Sequence, residues 1–163
     1  MPTSDQSAPM PARNTPSASE VLFTEKLWPT IWIWVVVVGL SSAGILMFAP
    51  ISAAAGVIAA LVLLAVMTTL LVVTTPTITV TRDSLRVGRA TIDRKFVGTA
   101  EAFKKDEATA ERGTRLNGLA YMCFRGWVDA VVKIDITDPA DRTPYWLVSS
   151  RHPDELVAAL GAR

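Results

Sequence analysis

The sequence predicts a hairpin of two membrane-spanning helices followed by an α+β domain, mostly antiparallel β with one C-terminal helix. Three observations carry that expectation. Between Leu27 and Thr81 there is no Asp, Glu, Lys, Arg or His. From Thr77 onward apolar residues recur at every second position. The chain then runs into Pro153-Asp154-Glu155-Leu156-Val157-Ala158-Ala159-Leu160, the signature of a short amphipathic helix.

Residues 1–19 are rich in Pro, Ser, Thr and Ala and contain few large apolar groups. Too little burial is on offer there to offset ordering entropy, so a disordered tail is expected. The segment 20–76 reads as the hairpin. One span needs about 20 apolar residues, and the charge-free run accommodates two. A charge at the bilayer centre costs roughly 2.5–3.5 kcal/mol, which explains why such a run excludes them. Span one is placed at 29–48, entered through Trp28, Trp32 and Trp34, whose indole rings favour the headgroup level. Pro29 falls in its first turn, where a missing N–H is harmless. Pro50 breaks the helix, Ser52 can cap the next one, and span two covers 52–74.

A turn this short makes the spans antiparallel. Lys26 precedes the first span, and Arg82, Arg86, Arg89, Arg94 and Lys95 follow the second, while the turn carries no charge. The positive-inside rule therefore puts both termini in the cytoplasm. A rival reading takes Ser52-Ala53-Ala54-Ala55 as a signal-peptidase site. No Lys/Arg-rich start leads the chain and a second apolar segment begins at once, so the uncleaved hairpin is preferred. Small residues recur four apart at Gly39 and Ala43, Ala55 and Ala59, and Gly56 and Ala60, with Ser42 nearby. Such faces let helices approach closely. Packing of the two spans on each other is preferred over a homo-oligomer or contact with another membrane protein.

Residues 77–163 read as a cytoplasmic domain. Ile78 and Val80 alternate with threonines, Arg82-Asp83-Ser84 turns the chain, and Leu85 and Val87 resume the pattern up to Gly88. A third strand holds Ala90 and Ile92, and a fourth is expected over 96–103. The stretch 104–118 has no clear apolar stripe and is either a surface helix or a long loop. The clearest strand is 128–136, with Val128, Ala130, Val132, Ile134 and Ile136 facing one way and Asp129, Val131, Lys133 and Asp135 the other. An Asp-rich turn at 137–142 leads to a hairpin partner at 143–149. The terminal helix starts at Pro153 and stops at Gly161, with Leu156, Val157 and Leu160 as its stripe.

This order resembles the bacterial pleckstrin-homology-like (PH-like) domain, a curved antiparallel sheet of about seven strands closed by a helix. The residues that carry the likeness are Ile78-Thr79-Val80-Thr81-Arg82-Asp83-Ser84-Leu85-Arg86-Val87-Gly88 and Tyr145-Trp146-Leu147-Val148-Ser149-Ser150-Arg151-His152-Pro153-Asp154-Glu155-Leu156. More narrowly, the chain resembles an actinobacterial two-helix membrane-protein family catalogued as domain of unknown function 3093. In that family an Asp-Pro-Ala-Asp-x-Thr-Pro-Tyr-Trp-Leu-Val-Ser-Ser-Arg run is typical, and it stands here at 138–151. The likeness covers about residues 20–160. It implies a bacterial plasma (inner) membrane and supplies no activity.

Candidate chemistry is sparse. The single histidine, His152, has no second His or Cys nearby to make a metal site or a triad, and reads as a surface residue at a helix entry. Cys123 lies in the apolar run 119–124 and reads as a small core hydrophobe in a reducing compartment. Asp129 and Asp135 share a strand face but stand roughly 20 Å apart, too far for joint acid–base work. Asp138 and Asp141 suit the turn. No phosphate-binding glycine loop or nucleophile elbow occurs. The expectation is a non-enzymatic membrane protein without cofactor or metal. The interspersed charges and net +1 give no field for nucleic acid.

Two interaction surfaces remain. The basic residues Arg82, Arg86, Arg89, Arg94 and Lys95 either lie on anionic lipid or merely fix topology; each basic group near such a surface contributes about 1 kcal/mol. Trp127, Tyr145, Trp146 and Arg151 are candidate partner contacts, although core packing is preferred for the aromatics.

Overall fold

The structure is a computed structural model and describes residues 20–161; the tail expected over 1–19 lies outside the described residues. Two apolar helices come early in the chain: α1, Ile31–Phe48, of 18 residues, and α2, Ala53–Thr74, of 22. At 1.5 Å per residue they are about 27 and 33 Å long, close to the thickness of a hydrocarbon layer of about 30 Å, and both are long and apolar enough to cross a membrane. They lie against one another along a narrow seam. Only Val37, Ser41 and Gly44 of α1 and Gly56 of α2 are buried, while most of their Leu, Ile and Val side chains are exposed. Gly44 and Gly56 make the approach possible. A Cβ on Gly44 would sit 3.1 Å from Ala60 N, and one on Gly56 would sit 3.0 Å from the Ile45 carbonyl oxygen. Gly39, expected at a contact, faces open space.

A mostly antiparallel sheet domain follows, but its first strand comes before the helices. Strand β1, Val21–Lys26, pairs with β2, Thr77–Thr81, from Val21 opposite Thr81 to Lys26 opposite Thr77. Segment 20–76 is therefore not hairpin throughout: its first residues complete the sheet. Leu27 N then donates to Pro76 O at 3.2 Å, so the pairing continues to the foot of the helices. Strands β3, Ser84–Val87, and β4, Ala90–Asp93, extend this first sheet in the order β1-β2-β3-β4. Gly88, at φ +60°, makes the β3–β4 turn in the left-handed region that glycine adopts without strain.

A single 3-10 turn at Arg94–Phe96 leads into the second sheet. It comprises β5, Val97–Phe103, β6, Tyr121–Cys123, β7, Val131–Ile136, and β8, Tyr145–Ser149, in the order β5-β7-β8-β6. Strand β6 runs parallel to β8; the other pairs are antiparallel. Among the described residues eight strands stand where about seven were expected.

The apolar faces of both sheets share one core. Ile78, Val80, Leu85 and Val87 from the first meet Val97, Val132, Ile134, Trp146 and Val148 from the second. Helix α4, Pro153–Gly161, lies against strands of both sheets and adds Leu156 and Leu160. Each buried leucine contributes about 1.5–3 kcal/mol, which a helix too short to persist alone requires. Arg94 donates to the Ala159 and Leu160 carbonyls at 3.2 and 2.8 Å, satisfying the open C-terminal end of α4.

The strand expected over 128–136 starts only at Val131, because Val128 N bonds back to Arg125 O in a turn. Val131 is not solvent-facing either. It is buried with Tyr145, Leu147, Ala120 and Ala108 in a second cluster on the outer face of the second sheet. The cover is α3, Lys105–Arg112, so the segment 104–118 is a short helix and a loop. Glu111 on α3 is buried beside Arg115 (3.3 Å) and Lys133 (3.5 Å).

Candidate functional site

The five basic residues that follow α2 do not form one patch. Strand β2 leads away from the helices, β3 returns and β4 leads away again, so residues are sorted to opposite ends of the sheet. Arg82 sits at the far turn and pairs with Glu20 at 2.6 Å. Arg94 caps α4 at that end, and Lys95 lies 3.3 Å from Asp93 and over the Phe96 ring. Arg86 and Arg89 are at the near end, exposed, with no ion pair among the described residues.

They meet a third arginine there that sequence reasoning passed over. Arg125 lies in the β6–β7 loop; its backbone N–H donates to Ser149 Oγ at 3.1 Å, and its guanidinium donates to the Thr74 carbonyl at the end of α2. The last carbonyls of a helix lack partners and carry partial negative charge, so a guanidinium satisfies both needs. Its plane lies 5.9 Å from the Trp127 ring, and its Nε is buried without a hydrogen-bond partner among the described residues. The sequence signal was the pair Arg125 and Trp127 in an otherwise apolar stretch.

Arg86, Arg89 and Arg125 line a cleft of about 640 Å³ between the foot of α2 and the sheets. Its other walls are the threonines at 74, 75, 77 and 79, Gly88, Tyr121 and Cys123. Among the described residues no carboxylate lines it. Tyr121 donates to the Val87 carbonyl at 3.1 Å, and burial pushes its phenol above the usual range, helped by the nearby Cys123 and opposed by a backbone N–H at Ala90 and by Arg89. Burial likewise raises the Cys123 thiol, with Arg125 opposing. Both groups are neutral at pH 7, so the cleft carries the charge of its arginines. Next to it is an apolar groove of about 420 Å³ over Val37, Met67, Leu70, Leu71, Phe124 and Trp127. Thr74 and Arg125 belong to both.

The aromatic candidates are placed otherwise. Tyr145 and Trp146 are buried; Tyr145 accepts from the Asn117 N–H at 2.7 Å and Trp146 packs on Tyr121 with ring centroids 5.0 Å apart. Trp127 is half-buried and donates to the Leu27 carbonyl at 3.2 Å. Arg151 is exposed and donates to the Trp28 carbonyl. Trp127 and Arg151 thus tie the sheet domain to the residues before α1, Trp146 belongs to the shared core, and Tyr145 packs under α3 on the outer face of the second sheet.

Glu25 is a buried acid that sequence reasoning also missed. It accepts from Ser150 Oγ at 2.6 Å and from Arg151 N at 2.8 Å, and His152 Nδ1 stands 4.0 Å away. A Ser, a His and a Glu close together invite comparison with a nucleophilic triad. Here the buried serine bonds the carboxylate directly rather than the imidazole, so the imidazole has no nucleophile to activate. Asp154 and Glu155 line a separate shallow cavity with Arg151 and His152, and Asp154 is paired with Lys104 at 2.6 Å. Asp138 and Asp141 accept from the backbone N–H two residues on, at Ala140 and Thr143, both at 2.9 Å. Asp135 receives the Thr99 hydroxyl. Among the described residues no three His, Cys, Asp or Glu side chains are grouped to hold a metal ion.

A family model described as a protein of unknown function (DUF3093) matches residues 22–160. The chain belongs to that family. The match begins within β1 and ends within α4, so the family unit includes the strand before the helices as well as the sheets after them. No curated protein and no solved structure matches the chain.

Proposed function

We propose that this member of the DUF3093 family is a non-enzymatic integral membrane protein of the bacterial plasma membrane, a PH-like module held against the cytoplasmic surface as an interaction or accessory subunit. One observation carries the reading: two helices whose apolar side chains are left uncovered stand on a pair of hydrogen-bonded strands, with only residues 27–30 on one leg and 75–76 on the other in between. Exposed apolar surface of that extent needs hydrocarbon around it. Lys26 and the arginines of the near end flank the two feet, and the Ala49–Ser52 turn is uncharged, which favours cytoplasmic termini. Two four-stranded sheets sharing a core under a C-terminal helix support the PH-like comparison; the parallel β6 departs from it. An envelope enzyme is the weakest reading, because the carboxylates are dispersed and the Glu25 cluster joins elements.

A second reading, recognition of anionic lipid headgroups, is favoured by Arg86 and Arg89 beside the hairpin foot, which have no ion pair among the described residues. Membrane residence is tested first. Isolated membranes washed with alkaline carbonate retain the chain; its release refutes the reading. Orientation is tested with Ala140→Cys in a Cys123→Ser background. A membrane-impermeant maleimide leaves that thiol unlabelled in intact cells and labels it after permeabilisation, and labelling of intact cells refutes the cytoplasmic placement.

A further inference from the structure

We infer that the cleft at the hairpin foot binds one anionic phospholipid, its phosphate against Arg86, Arg89 and Arg125 and an acyl chain in the groove over Leu70 and Leu71. The inference rests on the membrane reading above and deepens the headgroup reading by naming the site and its ligand.

Three features of the site converge on that ligand. The first is charge: three guanidiniums line the cleft, and no carboxylate among the described residues lines it with them. Arg86 and Arg89 have no ion pair among the described residues, whereas Arg82 and Lys95 at the far end have acidic neighbours. Guanidinium groups match the oxygens of a phosphate geometrically, and hydroxyls such as Thr77 and Thr79 add neutral donors. The second is an orphan donor, Nε of Arg125, buried at the residue that belongs to both cavities. The third is continuity. A soluble phosphate needs only the polar cleft, and it leaves the adjoining groove empty. That groove is walled by the α1 residue Val37 and by the α2 residues Met67, Leu70 and Leu71, at the depth where acyl chains lie in the membrane reading. A ligand with a phosphate and a hydrocarbon tail joined at the interface fits both halves through the Thr74–Arg125 junction.

The test uses the full chain in mild non-ionic detergent, with bound lipid counted by native mass spectrometry. Dioleoyl phosphatidylglycerol and dioleoyl phosphatidylcholine are supplied in equal amounts. One phosphatidylglycerol is retained, with at least about tenfold preference, since two guanidiniums at about 1 kcal/mol each convert to more than that. Arg86→Gln with Arg89→Gln removes the preference; these side chains are exposed, so the fold survives. Arg82→Gln with Lys95→Gln, at the far end, leaves it intact. Equal retention of the two lipids overturns the inference, as does equal loss from both double variants. Displacement of the lipid by glycerol 3-phosphate at matched concentration also overturns it, and assigns the cleft to a soluble phosphate compound. Release by alkaline carbonate refutes the membrane reading itself; carbonate retention without lipid preference refutes only the site.

Discussion

Glu25 places a carboxylate where the sheet needs an acceptor. Replacing it with alanine leaves the Ser150 hydroxyl and the Arg151 N–H without their partner, at about 1–3 kcal/mol for a buried orphan. Glu25→Ala is therefore expected to lower the unfolding midpoint of the detergent-solubilised chain clearly, and Glu25→Gln, which keeps an acceptor oxygen, to lower it less. Equal losses from both would mean that charge, not acceptance, matters. Gly88→Ala should cost roughly 1–2 kcal/mol, because its φ of +60° is left-handed. Asp141 gives a pH-dependent case. The Thr143 backbone N–H and hydroxyl hold its carboxyl below the usual carboxylate range. A depressed folded pKa means that the stabilisation is complete above the unfolded value, about 3.9, and is lost as pH falls through the folded one. Asp141→Asn should accordingly reduce the stability difference between pH 6 and pH 3 in urea titrations; an unchanged difference refutes the assignment. Of these residues, the turn aspartates and Gly88 were legible in the sequence, because turn chemistry is local. Glu25 was not, since its partners lie about 125 positions away and an acid before an apolar run reads as a boundary charge.

The two long apolar helices were legible, as were the four-residue strands β3 and β4 with their local alternation; β6 and α3 were not. Helices α1 and α2 fall within two residues of the expected spans, as the absence of charge marks them without reference to tertiary contacts. Strand β6 has three residues, too few to display alternation, and its parallel pairing depends on β8 more than twenty residues later. Helix α3 was ambiguous because its buried face consists of one alanine and a glutamate. The helix seam shows where spacing rules end: Gly56 and Ala60 are at the contact, but the opposing glycine is Gly44 and not Gly39. Gly44→Leu should force α1 and α2 apart and destabilise the chain in detergent, whereas Gly39→Leu should leave its unfolding free energy within about 0.5 kcal/mol of wild type. If Gly39→Leu instead dissociates an oligomer in sedimentation, the open small-residue face serves self-association.

For the molecule as a whole, the unexpected fact is that the chain enters the sheet before it enters the hairpin. Residues 21–26 read as an approach to the first span, and nothing local says that they pair with a segment fifty residues on. The sheet domain is consequently incomplete when cut at Pro76. A fragment of residues 77–163 lacks β1, bares the edge of β2 and loses the Glu25 acceptor, so it is expected to aggregate or to show no cooperative unfolding by circular dichroism, while the full chain in detergent unfolds cooperatively. A well-folded fragment would show that β1 is dispensable. The continuous β1–β2 pairing at the helix feet has a mechanical corollary. In the membrane reading proposed above, the two legs cannot scissor or slide past one another without shearing the four consecutive strand pairs from Phe23 opposite Val80 to Lys26 opposite Thr77, so the molecule would tilt as a stiff bracket. Local thinning of the bilayer, or a neighbouring protein leaning on the legs, would then reorient the arginine-lined face as a whole and pass a lateral push on the lipid directly to whatever that face holds.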